Sequence, residues 1–164
     1  MPVEVEQSSG KTAYEARAIY NNPENFFDWS WPKVPCHQFL DERDRAYEPG
    51  GESSLIELDT SDILETAYPA TTPTILARYV KIRPGEQISH NFIASGEVYY
   101  VLEGNGESSN GNDLVTWGTG DVFCFPGGYE TTHTAKETGI LFCVTNEPLL
   151  SFEMLCAPAP GKSR

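Results

Sequence analysis

Two stretches constrain the fold of this chain more than anything else in it. The first runs Pro84-Gly85-Glu86-Gln87-Ile88-Ser89-His90-Asn91-Phe92 and continues to Glu97 and Gly104. The second runs from Gly120-Asp121 through Pro126-Gly127-Gly128 to Thr131 and His133. In both, glycine and proline punctuate short runs rich in Val, Ile, Phe, Tyr and Thr, which is the pattern of strands joined by tight turns. Strands are predicted over 75–82, 97–102, 114–117, 122–125, 131–135 and 139–145, with an earlier one over 54–58, and 108–113 reads as a Gly/Asn hairpin tip. Five- and six-residue strands at this spacing predict a small antiparallel barrel. The 12 prolines and 14 glycines are spread among these runs, as such a barrel requires.

The two stretches resemble the paired motifs of the cupin superfamily. There the first motif reads Gly, a short gap, His-x-His, three or four residues, Glu, six residues, Gly; the second reads Gly, five residues, Pro-x-Gly, two residues, His. Here the spacings from Glu97 to Gly104 and from Gly120 to Pro126 match, while Phe92 stands at the second His position and Thr131 at the last. The resemblance covers residues 75–152 and implies an all-β fold, a cupin-type double-stranded β-helix or jelly-roll barrel. The segment 126–133, Pro-Gly-Gly-Tyr-Glu-Thr-Thr-His, is similar to gentisate-type ring-cleaving dioxygenases, in which a further His at the His133 position is not the ligand.

Strand parity sorts the candidate site residues. His90 and Phe92 share one face, Glu97, Tyr99 and Val101 another, and Thr131 and His133 a third. The resemblance turns all three faces inward, bringing His90, Glu97 and His133 into one pocket. Two imidazoles and one carboxylate are a donor set for a divalent metal, Fe, Mn, Ni or Zn, with open positions for substrate and dioxygen. Reaching the metal from His133 needs a strand shift or bulge, so His133 reads equally as a supporting residue. Phe92 reads as a core filler at a ligand position, and it and Thr131 would line the substrate side. Tyr99 is the candidate hydrogen-bond donor or proton relay. Arg78, if it faces inward rather than to solvent, would anchor a substrate carboxylate through a bidentate pair.

The remainder is organised more loosely. Residues 1–52 read as an N-terminal arm, with a short helix over 13–20 and an aromatic cluster, Phe26, Phe27, Trp29 and Trp31. The run 41–45 reads as a charged loop ending in a turn at Glu48-Pro49-Gly50-Gly51. The barrel is expected over 53–156, and 157–164, Ala-Pro-Ala-Pro-Gly-Lys-Ser-Arg, reads as a tail or linker. Cys36, Cys124, Cys143 and Cys156 form no C-x-x-C pair and read as buried or free thiols.

A net charge of −13 with 11 Lys and Arg excludes a phosphate-binding surface, hence nucleic acid, and disfavours anionic membranes. No apolar run approaches a membrane span and the first residues lack a signal-peptide pattern, so a cytoplasmic location is expected. The expected partner is a small-molecule ligand, and the resemblance implies a homodimer. Two functions follow. One is a metal-dependent, dioxygenase-like enzyme acting on a small organic or aromatic acid. The other is a non-catalytic cupin with a degraded metal site that binds a small ligand or supports assembly, as one half of a two-cupin architecture.

Overall fold

A computed structural model describes Thr12 and residues 34–155. The helix expected over 13–20, the aromatic cluster, Cys156 and the tail lie outside the described residues. Apart from Thr12, the described residues belong to one compact unit, Pro32–Arg164.

Chain order is α1 (Leu40–Tyr47), β1 (Ser54–Glu57), α2 (Ser61–Leu64), β2 (Leu76–Ile82), β3 (Gln87–His90), β4 (Gly96–Glu103), β5 (Asn105–Asn110), β6 (Asp113–Gly118), β7 (Val122–Pro126), β8 (Thr131–Ala135), β9 (Gly139–Thr145) and α3 (Glu147–Phe152). The strands form two antiparallel sheets, ordered β1-β2-β9-β4-β7 and β3-β8-β5-β6. The architecture is the all-β jelly roll that the resemblance implies.

Alternation along the strands divides the interior into two ends. Val80, Ile82, Val101, Leu141, Trp117 and Ala135 belong to one apolar cluster. Further along the same inward faces come Arg78, Glu97, Thr131, His133, Ser108 and Asn110, all buried. Pairing fixes this register: Arg78 faces Cys143 and Val80 faces Leu141 across β2 and β9, while His90 faces Thr131 across β3 and β8. A slip of one residue would reverse every face, so the apolar cluster holds the polar end in place.

Two local expectations are corrected. Residues 41–45 are not a loop but the body of α1. Asp41 and Glu42 in its first turn and Arg45 in its last complement the helix dipole. Its C-terminal carbonyls are satisfied from elsewhere, because the buried ammonium of Lys81 on β2 donates to Arg45 O at 3.0 Å and Glu48 O at 2.6 Å. Ala46 then packs with Ile56 and Ile140 on the outer face of the sheet. Residues 108–110 are likewise not a hairpin tip. They belong to β5, and the turn shrinks to Gly111-Asn112, with Gly111 at φ +61° where a side chain would be strained.

Candidate functional site

The polar residues gather at one end of the barrel, where β3, β7 and β9 finish and β2, β4 and β8 begin. Arg78 is 1 % exposed, Glu97 and His133 0 %, and His90 9 %. All four lie on strands, so the ladder fixes their directions. Phe92 lies just beyond β3, and its buried ring stacks on His90 with centroids 3.8 Å apart and 14° between planes. The guanidinium of Arg78 lies over the Phe92 ring, 3.7 Å from its centroid. A cation, a phenyl ring and an imidazole thus form one stack.

The other face of the site is a hydrogen-bond network. Tyr99 donates to Glu97 Oε2 at 2.6 Å, and Thr131 Oγ1 donates to the same oxygen at 2.9 Å. Asn110 Nδ2 donates to Thr131 Oγ1 at 2.8 Å. His90 Nε2 lies 3.1 Å from His133 Nε2 and 3.1 Å from the Tyr99 hydroxyl. His133 Nδ1 meets Ser108 Oγ at 2.5 Å, and Trp117 Nε1 donates to that oxygen at 2.7 Å. Arg78 Nη2 pairs with Glu147 Oε2 at 2.5 Å, a contact that Thr145 Oγ1 shares at 2.6 Å.

Several buried polar atoms have no partner among the described residues: Arg78 Nε and Nη1, His90 Nδ1, Glu97 Oε1 and Asn110 Oδ1. Two of these, His90 Nδ1 and Glu97 Oε1, face each other across 4.0 Å. A cleft of about 530 Å³ runs over the adjoining ends of β4, β7 and β9, with Gly96, Glu97, Phe125 and Thr145 among its walls.

Burial dominates the ionisation of the site. Removal from water pushes His90 down to about 4, helped by the charge of Arg78, and His133 down to about 3, helped by His90. Both imidazoles are therefore neutral near pH 7. Burial raises Glu97, against the opposing effect of its hydrogen bonds from Tyr99 and Thr131 and of Arg78. Burial also raises the Tyr99 hydroxyl, which stays protonated as a donor, and pushes the Cys143 thiol up to about 12.

The structure brings together all seven residues singled out from the sequence: Arg78, His90, Phe92, Glu97, Tyr99, Thr131 and His133. It does not converge His90, Glu97 and His133 on a common point. The two imidazoles meet through Nε2, whereas Glu97 faces the Nδ1 edge of His90 and spends its other oxygen on Tyr99 and Thr131. Among the described residues no three His, Cys, Asp or Glu side chains form a group able to hold a metal ion. Phe92 fills one family ligand position and Thr131, already donating to Glu97, fills another. The donor set does not fit a divalent metal in this arrangement. Four contributors escaped the sequence reading: Ser108, Asn110, Trp117 and Glu147. The alternation of Gly106, Ser108 and Asn110 was the one available signal for the first two.

No family model matches the chain. Over 81 residues, 49 % of its length, it is 32 % identical to a 5-aminosalicylate 1,2-dioxygenase from a Comamonas species. The fold is similar to that of a salicylate 1,2-dioxygenase from Pseudaminobacter salicylatoxidans, with a TM-score of 0.52 and 17 % identity over 64 % of this chain. A structure of that enzyme with gentisate gives a TM-score of 0.55 and 18 % identity over 74 % of this chain. The barrel is a cupin fold. The chain spans 22 % of the length of the aminosalicylate enzyme and 31 % and 36 % of the two solved chains. No helix among the described residues is long and apolar enough to cross a membrane.

Proposed function

We infer that this cupin is a metal-independent binding barrel for a small organic acid that also carries a hydroxyl group. The carrying observation is the set of unpartnered buried atoms at the polar end of the barrel. Arg78 has two donors, Nε and Nη1, with no partner among the described residues, on a side chain that is almost wholly buried. Leaving them unpaired is costly, and a carboxylate would satisfy both at once. A hydroxyl oxygen placed between His90 Nδ1 and Glu97 Oε1 would stand within ordinary hydrogen-bond distance, about 2.8 Å, of each. A hydroxyl can donate to one and accept from the other, which neither a carboxylate nor a methyl group can do.

Each site residue then has a role. Arg78 anchors the carboxylate, with Phe92 as the flat wall that positions the guanidinium. Glu97 and His90 receive the hydroxyl, and Tyr99 and Thr131 hold the Glu97 carboxyl in place. The relatives support an aromatic acid, since one is named for aminosalicylate and the others for salicylate. Phe125 lines the cleft and Phe92 stacks beside Arg78 and His90, so both supply aromatic surface next to the site.

Calorimetric titration of chelator-treated protein tests the reading with three probes. Salicylate, which carries both groups, is expected to bind; benzoate, lacking the hydroxyl, and phenol, lacking the carboxylate, are expected to bind at least about tenfold more weakly, the loss of one satisfied polar contact. Salicylate binding that disappears on chelation and returns with added Fe(II) would show the site to be a metal centre.

A further inference from the structure

Ser108 holds a position in the network that decides where two protons lie. An indole N–H only donates, so Trp117 Nε1 takes one lone pair of the Ser108 hydroxyl at 2.7 Å. The hydroxyl has a single hydrogen of its own, and its other contact is His133 Nδ1 at 2.5 Å. Were Nδ1 also a donor, the serine hydrogen would be left buried without an acceptor, in a residue that is 1 % exposed. Nδ1 is therefore the acceptor, and a neutral imidazole that accepts at Nδ1 carries its hydrogen on Nε2.

The direction then propagates. His133 Nε2–H points at His90 Nε2, 3.1 Å away, which has to accept, and the Tyr99 hydroxyl, also 3.1 Å from that nitrogen, gives its hydrogen chiefly to Glu97 Oε2 at 2.6 Å and shares it with Nε2. The hydrogen of His90 accordingly sits on Nδ1, the edge that faces Glu97 Oε1 across 4.0 Å. The bonds run one way, from Trp117 through Ser108 and His133 to His90, and end on an N–H aimed at a carboxyl oxygen.

We propose that Ser108, held by Trp117, is a positioning residue that fixes the tautomers of His90 and His133 and so aims a donor from His90 into the ligand site. The proposal rests on the metal-independent reading of that site and adds what enforces it. A metal-binding imidazole needs a bare ring nitrogen toward the ion and commonly donates its other N–H to a carboxylate or carbonyl. Ser108 imposes the reverse on His133, placing a hydrogen on the nitrogen that a metal would need.

Long-range 15N–1H correlation spectra of the full-length protein labelled at histidine read the tautomers directly. At about pH 7 the expected pattern is His133 protonated on Nε2 and His90 protonated on Nδ1. His133 protonated on Nδ1 in the wild type would overturn the proposal. In Ser108→Asp the carboxylate accepts from both Trp117 and His133, so His133 is expected to switch to the Nδ1–H form and zinc to bind at least about tenfold more tightly than to the wild type. Trp117→Phe is the fallback should a buried carboxylate unfold the barrel. It frees the second lone pair of Ser108 and is expected to give a mixture of His133 tautomers, and a spectrum identical to that of the wild type would count against the lock. Wild-type protein that keeps the assigned tautomers but binds no salicylate would sink the ligand reading alone.

Discussion

Arg78 is the largest fully buried side chain among the described residues, and burying its charge carries an electrostatic cost. Its guanidinium is buried, paired on one nitrogen with Glu147 and left unsatisfied on two others. Buried ion pairs are replaced by neutral groups at little cost or with a gain of up to a few kcal/mol. Arg78→Met combined with Glu147→Gln is therefore expected to raise the urea midpoint, by an equivalent of roughly 1–3 kcal/mol, while abolishing salicylate binding. A lowered midpoint would mean that the ion pair serves the fold. A second residue-scale prediction concerns the two positions at which the cupin ligand pattern is broken. Phe92→His with Thr131→His is expected to create a zinc site in a protein that otherwise lacks one, measured by calorimetry with the single variants as controls. The inward set His90, Glu97, Tyr99, Thr131 and His133 was legible in the sequence because parity and motif spacing act along a strand. Ser108, Trp117 and Glu147 were not, because their partners are 25, 9 and 69 positions away and no local pattern records such pairs.

At the scale of elements, α1 shows how a distant residue decides local structure. Its sequence, LDERDRAY, has one buried residue and no side-chain N-cap, so only its charge order along the dipole favours a helix over a charged loop. What completes it is Lys81, whose ammonium caps two carbonyls at its C-terminal end. Lys81→Met is expected to cost about 2 kcal/mol, the scale of hydrogen bonds from a charged donor, and to speed hydrogen exchange in residues 43–48 selectively. Equal acceleration throughout the barrel would show that α1 and the sheet unfold together. β5 makes the complementary point. Its polar sequence, NGESSN, has the composition of a turn, yet it forms a strand whose alternate side chains serve the interior network. Gly106 belongs to the same design, because a Cβ there would collide with the Trp117 ring and the Thr134 carbonyl. Trp117 reaches Ser108 across the space that this glycine leaves.

For the molecule as a whole, the buried histidines set the response to acid. Both have folded-state values below the ordinary value of 6.5, about 4 for His90 and about 3 for His133. Between those values and 6.5 the unfolded chain binds more protons than the folded one, so stability is complete above about pH 6.5 and falls as pH drops toward 3. Glu97 works against this trend: its folded value is raised, so ionising it with rising pH removes stability. Urea midpoints measured from pH 7 to 4 are expected to decline, more steeply in Glu97→Gln, in which the opposing titration is gone. A flat profile in that variant would contradict the neutral burial of the pair.

Most of the site stands on strands, whose ladders hold side chains in place for as long as the sheet is intact. Glu147 on α3 is one exception, and Phe92 is another, a ring on the short connection after β3, pressed between Arg78 and His90. On the proposed reading, a bound molecule exchanges beside a ring that stands outside the strands, and such a ring moves on the timescale of side-chain and loop motion rather than of domain closure. On that reading the barrel is rigid in what it recognises and still fast in how it releases, with the speed set by a residue at a position where the resemblance puts a metal ligand.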